Sequence, residues 1–166
     1  YTVVWDVTDF SNVTADMTVN AVATPNAYTV TYDANGGTVA SATAEFTFDA
    51  AYTLAEPTKD GYTFAGWMNG ETPVEATGTW TTASNVTLVA TWTANTYTVT
   101  YDANGGTVAS ATADVVYGSA YTLAEPTKAG YTFAGWMNGE TPVAATGNWA
   151  IAENVTLVAA WTANTY

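Results

Sequence analysis

The sequence predicts a mainly β fold, α+β at most, divided into small modules that follow one another along the chain. Three observations predict it. Strand-forming residues dominate, with 34 Thr, 11 Tyr, 7 Trp and 5 Phe among 166 residues. Short runs alternate apolar and polar side chains, and Asn-Gly or Pro-containing turns bound them. The chain also repeats itself: Tyr28–Ala44 recurs unchanged as Tyr97–Ala113, and 56 of the 69 positions from 28 to 96 match those from 97 to 165.

The repeat sets the expected boundaries. Residues 1–27 read as the C-terminal half of a divergent preceding copy, because Tyr1-Thr2-Val3-Val4-Trp5 echoes Tyr62–Trp67 and Asp16–Ala21 echoes the strand near Asn85–Ala90. Residues 28–96 form one module. Residues 97–166 form the next, together with Tyr166, which stands where a further copy would open.

Within a module the first strand is Tyr28–Asp33, with Tyr28, Val30 and Tyr32 on one face. Asn35-Gly36 follows, the pair that best tolerates the positive φ of a tight hairpin. The return strand ends in Glu45–Phe48. Ala50–Asp60 then has room for about one helical turn at Leu54-Ala55-Glu56 before Pro57 stops it. The third strand is Tyr62–Trp67, and Gly66 inside it indicates a bulge that lets Phe64 and Trp67 both face inward. The last strand is Val86–Trp92. The expected core is Tyr32, Phe64, Leu88 and Trp92, with Tyr101, Phe133, Leu157 and Trp161 in the second copy. A hairpin, a short crossover and two further strands make a β-grasp-like order with a vestigial helix, modules of this kind being strung end to end.

The combination Tyr-Asp-Ala-Asn-Gly-Gly at 32–37, Pro-Thr-Lys-Asp-Gly-Tyr-Thr-Phe-Ala-Gly-Trp at 57–67 and Asn-Val-Thr-Leu-Val-Ala at 85–90 resembles the internalin B-repeat, or Listeria–Bacteroides repeat, family. The resemblance covers both full copies and extends into the N-terminal fragment. It implies a β-grasp-like module used in tandem on secreted and cell-wall-attached bacterial proteins. It implies an extracellular location and no catalytic residues.

Composition excludes much chemistry independently. There is no Cys and no His, which removes thiolate metal sites, disulfides, cysteine nucleophiles and imidazole bases. Two Lys, no Arg and a net charge of −13 argue against nucleic-acid partners. No apolar run approaches the ~18 residues of a membrane span. The expectation is therefore no enzyme and no cofactor.

Each candidate site also has a plainer explanation. Asp33-Ala34-Asn35-Gly36 and Asp102-Ala103-Asn104-Gly105 resemble the start of a calcium loop, but Ala42 and Ala111 stand where the later acidic ligand belongs. A turn capped by Asp explains the same residues, so no metal site is assigned. Paired carboxylates could hydrolyse glycosides, yet Asp49, Asp60 and Glu75 become Gly118, Ala129 and Ala144 in the second copy. Trp80 and Trp149, flanked by polar residues, are the best candidates for an exposed platform contacting a glycan or protein, with core or edge packing the favoured alternative. Asn12, Asn85 and Asn154 open glycosylation sequons.

Two functions follow. The first is a non-catalytic stalk, spacer or filament segment of a bacterial surface protein, with neighbouring repeats, or self-assembly, as its partners. The second is an adhesin module binding a host or neighbouring-cell protein or glycan through exposed aromatics. The four-residue joint Thr93–Thr96 contains no glycine, and Pro25 stiffens the preceding one. Each module should then add on the order of 30 Å along a semi-rigid array.

Overall fold

The structure, a computed structural model, describes residues 1–165. It is built from strands, with no helix among the described residues. Two compact units divide the chain: 1–58 with 64–91, and 59–63 with the residues from 92 onward.

The first unit opens with an antiparallel pair, β1 (Thr2–Trp5) and β2 (Ala21–Thr24), in which Trp5 faces Ala21. Asp6 closes it by accepting the Asn20 N–H at 2.9 Å and the Asn20 side-chain amide at 2.8 Å. These bonds hold the Asp6 carboxyl below its ordinary pKa. Val3, Val4 and Trp5 are exposed on this pair.

The main sheet follows. Its strands are β3 (Ala27–Asp33), β4 (Thr43–Thr47), β6 (Tyr62–Asn69), β7 (Thr72–Val74) and β9 (Val86–Ala94), in the order β4-β3-β9-β6-β7. β5 (Ala51–Thr53) and β8 (Thr77–Thr79) pair separately. β3 and β4 are the expected hairpin, with Tyr28 opposite Phe46. β3 and β9 run parallel with Tyr32 opposite Leu88. The second copy reproduces this with β10 (Thr96–Asp102), β11 (Thr112–Val116), β12 (Ala120–Thr122), β13 (Tyr131–Asn138), β14 (Thr141–Val143), β15 (Thr146–Asn148) and β16 (Val155–Ala163). The sheet order is again β11-β10-β16-β13-β14, with β12-β15 apart.

The Asn-Gly turn has the expected backbone. Asn35 and Gly36 have φ of 48° and 82°, and Asn104 and Gly105 have 47° and 82°. The glycine bulge is present too. β13 and β16 shift register between Phe133 and Gly135, so Ala134 is the extra residue and Gly135 has φ of +134°. That shift returns Trp136 to the core side, where it is 1% exposed.

Two expectations are corrected. No helical turn forms at Leu54–Pro57, because the polar groups that would close it are engaged at long range. The Leu54 N–H donates to the Ala76 carbonyl at 2.8 Å, and the Ala55 carbonyl accepts the Trp67 indole N–H at 2.7 Å. Thr58 then bridges to Thr38. The expected core is also too narrow. Tyr32 and Leu88 are buried, but Phe64, Trp92, Phe133 and Trp161 are only half-buried. Phe133 packs against the edges of Trp136 and Trp161, and the Trp161 indole N–H reaches out to the Ala103 carbonyl of the hairpin turn at 3.0 Å. The centre is filled by Val99, Leu123, Trp136, Trp149, Leu157 and Ala159, and by Val30, Leu54, Trp67, Trp80, Leu88 and Ala90 in the first copy. A helix-free module this small needs large aromatics to bury enough apolar area.

A Cβ on Gly106 would stand 2.6 Å from both the Thr127 carbonyl oxygen and Trp161 Cζ2. Gly106→Ala should therefore destabilise by about 1–3 kcal/mol, read as a lower urea midpoint for the second copy. The Trp149 indole N–H donates to the Ile151 carbonyl at 2.8 Å, whereas buried Trp80 Nε1 has no partner among the described residues. Trp80→Phe should cost about 1 kcal/mol less than Trp149→Phe in matched urea melts, because only the latter breaks a hydrogen bond. Finally, a lowered pKa means that Asp6 stabilises its strand pair above the ordinary value of 3.8 and ceases to as pH falls through the folded value. The Asn20 amide resonance should titrate below that ordinary value.

Candidate functional site

The structure places the two tryptophans singled out above inside the modules. Trp80 is 3% exposed and Trp149 1%. Trp80 follows β8, where its N–H donates to the Ala50 carbonyl and its carbonyl accepts the Asp49 N–H, both at 2.9 Å. This ladder lays the indole against Phe46 and Tyr52, with ring centres 5.1 and 5.3 Å away. Trp149 sits in the same way against Tyr121 at 5.1 Å. A buried indole offers no ring face to a sugar, so both residues take the core packing favoured from the sequence and the exposed-platform alternative is corrected. The polar flanks misled because the covering strand, β5, is only three residues long.

The remaining candidates serve the turns. Asp33 Oδ1 accepts the Asn35 N–H at 2.9 Å, and Asp102 Oδ1 accepts that of Asn104 at 2.9 Å. The side-chain amides of Asn35 and Asn104 then donate to the Ala90 and Ala159 carbonyls at 3.1 Å, tying each turn to its last long strand. Lys128 Nζ donates to the Asn104 carbonyl at 2.9 Å and lies 4.6 Å from the Tyr131 ring centre. The ammonium thus packs on an aromatic ring face while bonding the turn. The cleft of about 260 Å³ beside Trp80 is lined by Tyr52, Pro73 and Thr82 among others, with Glu75 as its one carboxylate. A glycosidase would need two.

What recurs is a contact built around a tyrosine at the start of a strand. In the first unit, Tyr1 meets Phe48 edge to face at 5.7 Å, and its hydroxyl donates to Asp49 Oδ2 at 2.5 Å. That hydrogen bond raises the Tyr1 phenol pKa, with smaller contributions from desolvation and the carboxylate charge. Thr2 Oγ1 donates to Asn26 Oδ1 at 2.8 Å, and the Asn26 carbonyl accepts the Phe48 N–H at 2.9 Å.

The second unit contains the same arrangement, with Tyr62, Thr63, Asn95 and Tyr117 in the places of Tyr1, Thr2, Asn26 and Phe48. Tyr62 meets Tyr117 edge to face at 5.4 Å. Thr63 Oγ1 donates to Asn95 Oδ1 at 2.6 Å. The Asn95 N–H donates to the Gly61 carbonyl, and the Asn95 carbonyl accepts the Tyr117 N–H, both at 2.9 Å. One asparagine thus engages both its backbone groups and its side chain.

Sequence reasoning missed this contact, although a signal existed. Residues 45–50 and 114–119 differ at all six positions, yet position 48 is Phe and position 117 Tyr. Aromatic character survives in both copies at the contact residue.

The comparisons with known proteins agree with the repeat pattern. The family model of the Listeria–Bacteroides repeat domain matches residues 28–91 and 97–160. A protein of Evansella cellulosilytica provisionally named a membrane protein is 35% identical over 98% of this chain and 25% of its own length. Internalin H of Listeria monocytogenes is 37% identical over 83% of this chain and 26% of its own length. The chain therefore spans about a quarter of the length of these relatives. A pair of SHIRT domains from a streptococcal cell surface protein aligns over 82% of this chain and 99% of its own, at 15% identity and a TM-score of 0.25, too weak a likeness to carry an argument. With both copies matched over most of their length, the chain belongs to the Listeria–Bacteroides repeat family.

Proposed function

We propose that this chain is a non-catalytic spacer segment of a bacterial cell-surface protein, its modules strung end to end and β-grasp-like in strand order. The observation that carries the reading is the parallel pairing of the first and last long strands, β3 with β9 and β10 with β16. A chain that enters and leaves a module along parallel strands enters at one end and leaves at the other. Each added copy then adds length, which is what tandem repetition supplies directly. The Asn95 bonds at the joint leave little freedom there, in contrast to a glycine-serine linker. Internalin H, by its name, places a relative among the internalins, and surface location is carried over from the family. The neighbouring repeats are the proposed partners. The adhesin alternative loses its named residues, since Trp80 and Trp149 are buried.

Small-angle scattering of this chain should report an elongated particle of nearly fixed shape. Its maximum dimension should change little as salt screens the −13 charge. Compact side-by-side packing, or a broad spread of interdomain angles, would refute the spacer reading.

A further inference from the structure

The segment Gly-Tyr-Thr-Phe-Ala-Gly-Trp-Met-Asn occurs unchanged at 61–69 and 130–138. Its glycine has the same φ, +78°, in both places. Its surroundings nevertheless differ at one end. Gly61 is buried and Tyr62 half-buried, whereas Gly130 is exposed and Tyr131 is 43% exposed. Identical sequence and backbone leave the covering group as the cause. At Gly61 that group is the Tyr117 ring, which passes so close that a Cβ there would meet ring carbons at 2.4 Å. At Gly130 nothing among the described residues lies within 4 Å of the same point.

The rest of the contact is already assembled at Gly130. The Asn164 N–H donates to the Gly130 carbonyl at 3.0 Å, as Asn95 does to Gly61 at 2.9 Å. Thr132 Oγ1 donates to Asn164 Oδ1 at 2.7 Å, as Thr63 does to Asn95 at 2.6 Å. Lys128 Nζ lies 4.6 Å from the Tyr131 ring, as Lys59 Nζ lies 4.5 Å from that of Tyr62. The Asn164 carbonyl corresponds to those of Asn26 and Asn95, which accept the N–H of Phe48 and Tyr117. Gly130, Tyr131 and Asn164 thus form a seat whose two equivalents, at Tyr1 and Tyr62, are each filled by an aromatic residue of the copy that follows.

We infer that Gly130, Tyr131 and Asn164 are a docking surface for a further copy of the repeat on the same chain, which lays the aromatic side chain at its Phe48/Tyr117 position across Gly130. The occupant is specified by the two filled seats. Each takes an aromatic ring edge-on to the tyrosine, and each takes the backbone N–H of that same residue on the asparagine carbonyl. The geometry demands a residue that offers both at once, with no side chain at the glycine to obstruct it. The inference rests on the end-to-end reading above and adds the atoms of the joint.

The test compares the 166-residue chain with one extended by a further copy of residues 97–165. Ring currents from a docked aromatic should move the Gly130 α-proton resonances of the extended chain towards those of Gly61. Gly130→Ala should be tolerated in the 166-residue chain beyond the backbone effect of its positive φ. In the extended chain it should lower the urea midpoint much further. Tyr131→Ala in the extended chain should return the Gly130 resonances to their undocked positions, which keeps the test decisive if the alanine variant at Gly130 does not fold. Gly130 resonances that are unchanged on extension overturn the docking surface, even if scattering still reports an elongated array. Shifted resonances with compact scattering would instead keep the joint and sink the spacer. Resonances that move in the 166-residue chain as its concentration rises would assign the surface to a separate molecule and overturn the same-chain occupant.

Discussion

The parallel pairing of each module's first and last long strands is the constraint on which the rest of the structure depends. It brings Tyr32 opposite Leu88 and Tyr101 opposite Leu157, and so places the core at the middle of the sheet. A parallel pair needs a long crossover. Everything between β3 and β9 is that crossover: a hairpin return, the β5-β8 pair and the β6-β7 hairpin. The Asn-Gly turn is fixed to the same pair, because Asn35 and Asn104 bond to carbonyls of the last strand. Even the bulge at Gly135 serves it, since the extra residue aims Trp136 at Tyr101, 4.8 Å away between ring centres.

Much of this was legible from the chain alone, for physical reasons. Alternation marks a strand that is covered on one face, and β3, β4 and β9 are such strands. Asn35-Gly36 needs positive φ, and few residue pairs supply it. Gly66 stood out because a strand interior rarely tolerates glycine without a bulge. The Ala50–Asp60 crossover was not legible. Three-residue strands such as β5 have too few residues to show a period, and Leu54-Ala55-Glu56 favours helix until Ala76, Trp67 and Tyr32 claim its backbone. Trp80 takes the core packing favoured for it, but the strand that covers it was invisible for the same reason. The joint was hidden more deeply: Asn95 is one polar residue in a polar run, and its role shows only when three copies are compared in space.

The two copies also act as a set of natural substitutions. Of their 13 differences, those inside strands fall at Glu45–Thr47 in β4, Thr79 in β8 and Thr91 in β9, and the one of these that alters an aromatic is Phe46, which becomes Val115. The exchange of bulk is felt nearby. Trp80 loses its Phe46 neighbour in becoming Trp149, and Thr82 becomes Ile151, whose carbonyl accepts the indole N–H. The hydrogen-bonding of a buried tryptophan thus changes between near-duplicates while the surrounding sheet order does not.

The short joint between β9 and β10 has a consequence for how such a chain reaches its native pairing. β10 repeats β3 in all but its first residue, Thr96 for Ala27, so an emerging last strand such as β9 is offered two near-identical first strands, one behind it and one ahead. Near-identical neighbours are the usual setting for misassembly between copies. Here β9 ends at Ala94 and β10 begins at Thr96, so only Asn95 separates them. One residue cannot carry the crossover a parallel pair requires, and it is shorter than the two-residue loop of the tightest common hairpin. The strand ahead is therefore geometrically barred, and the strand already synthesised is the available partner. Brevity at the joint enforces the order in which copies mature along the chain, each closing on itself before the next has a complete sheet to offer.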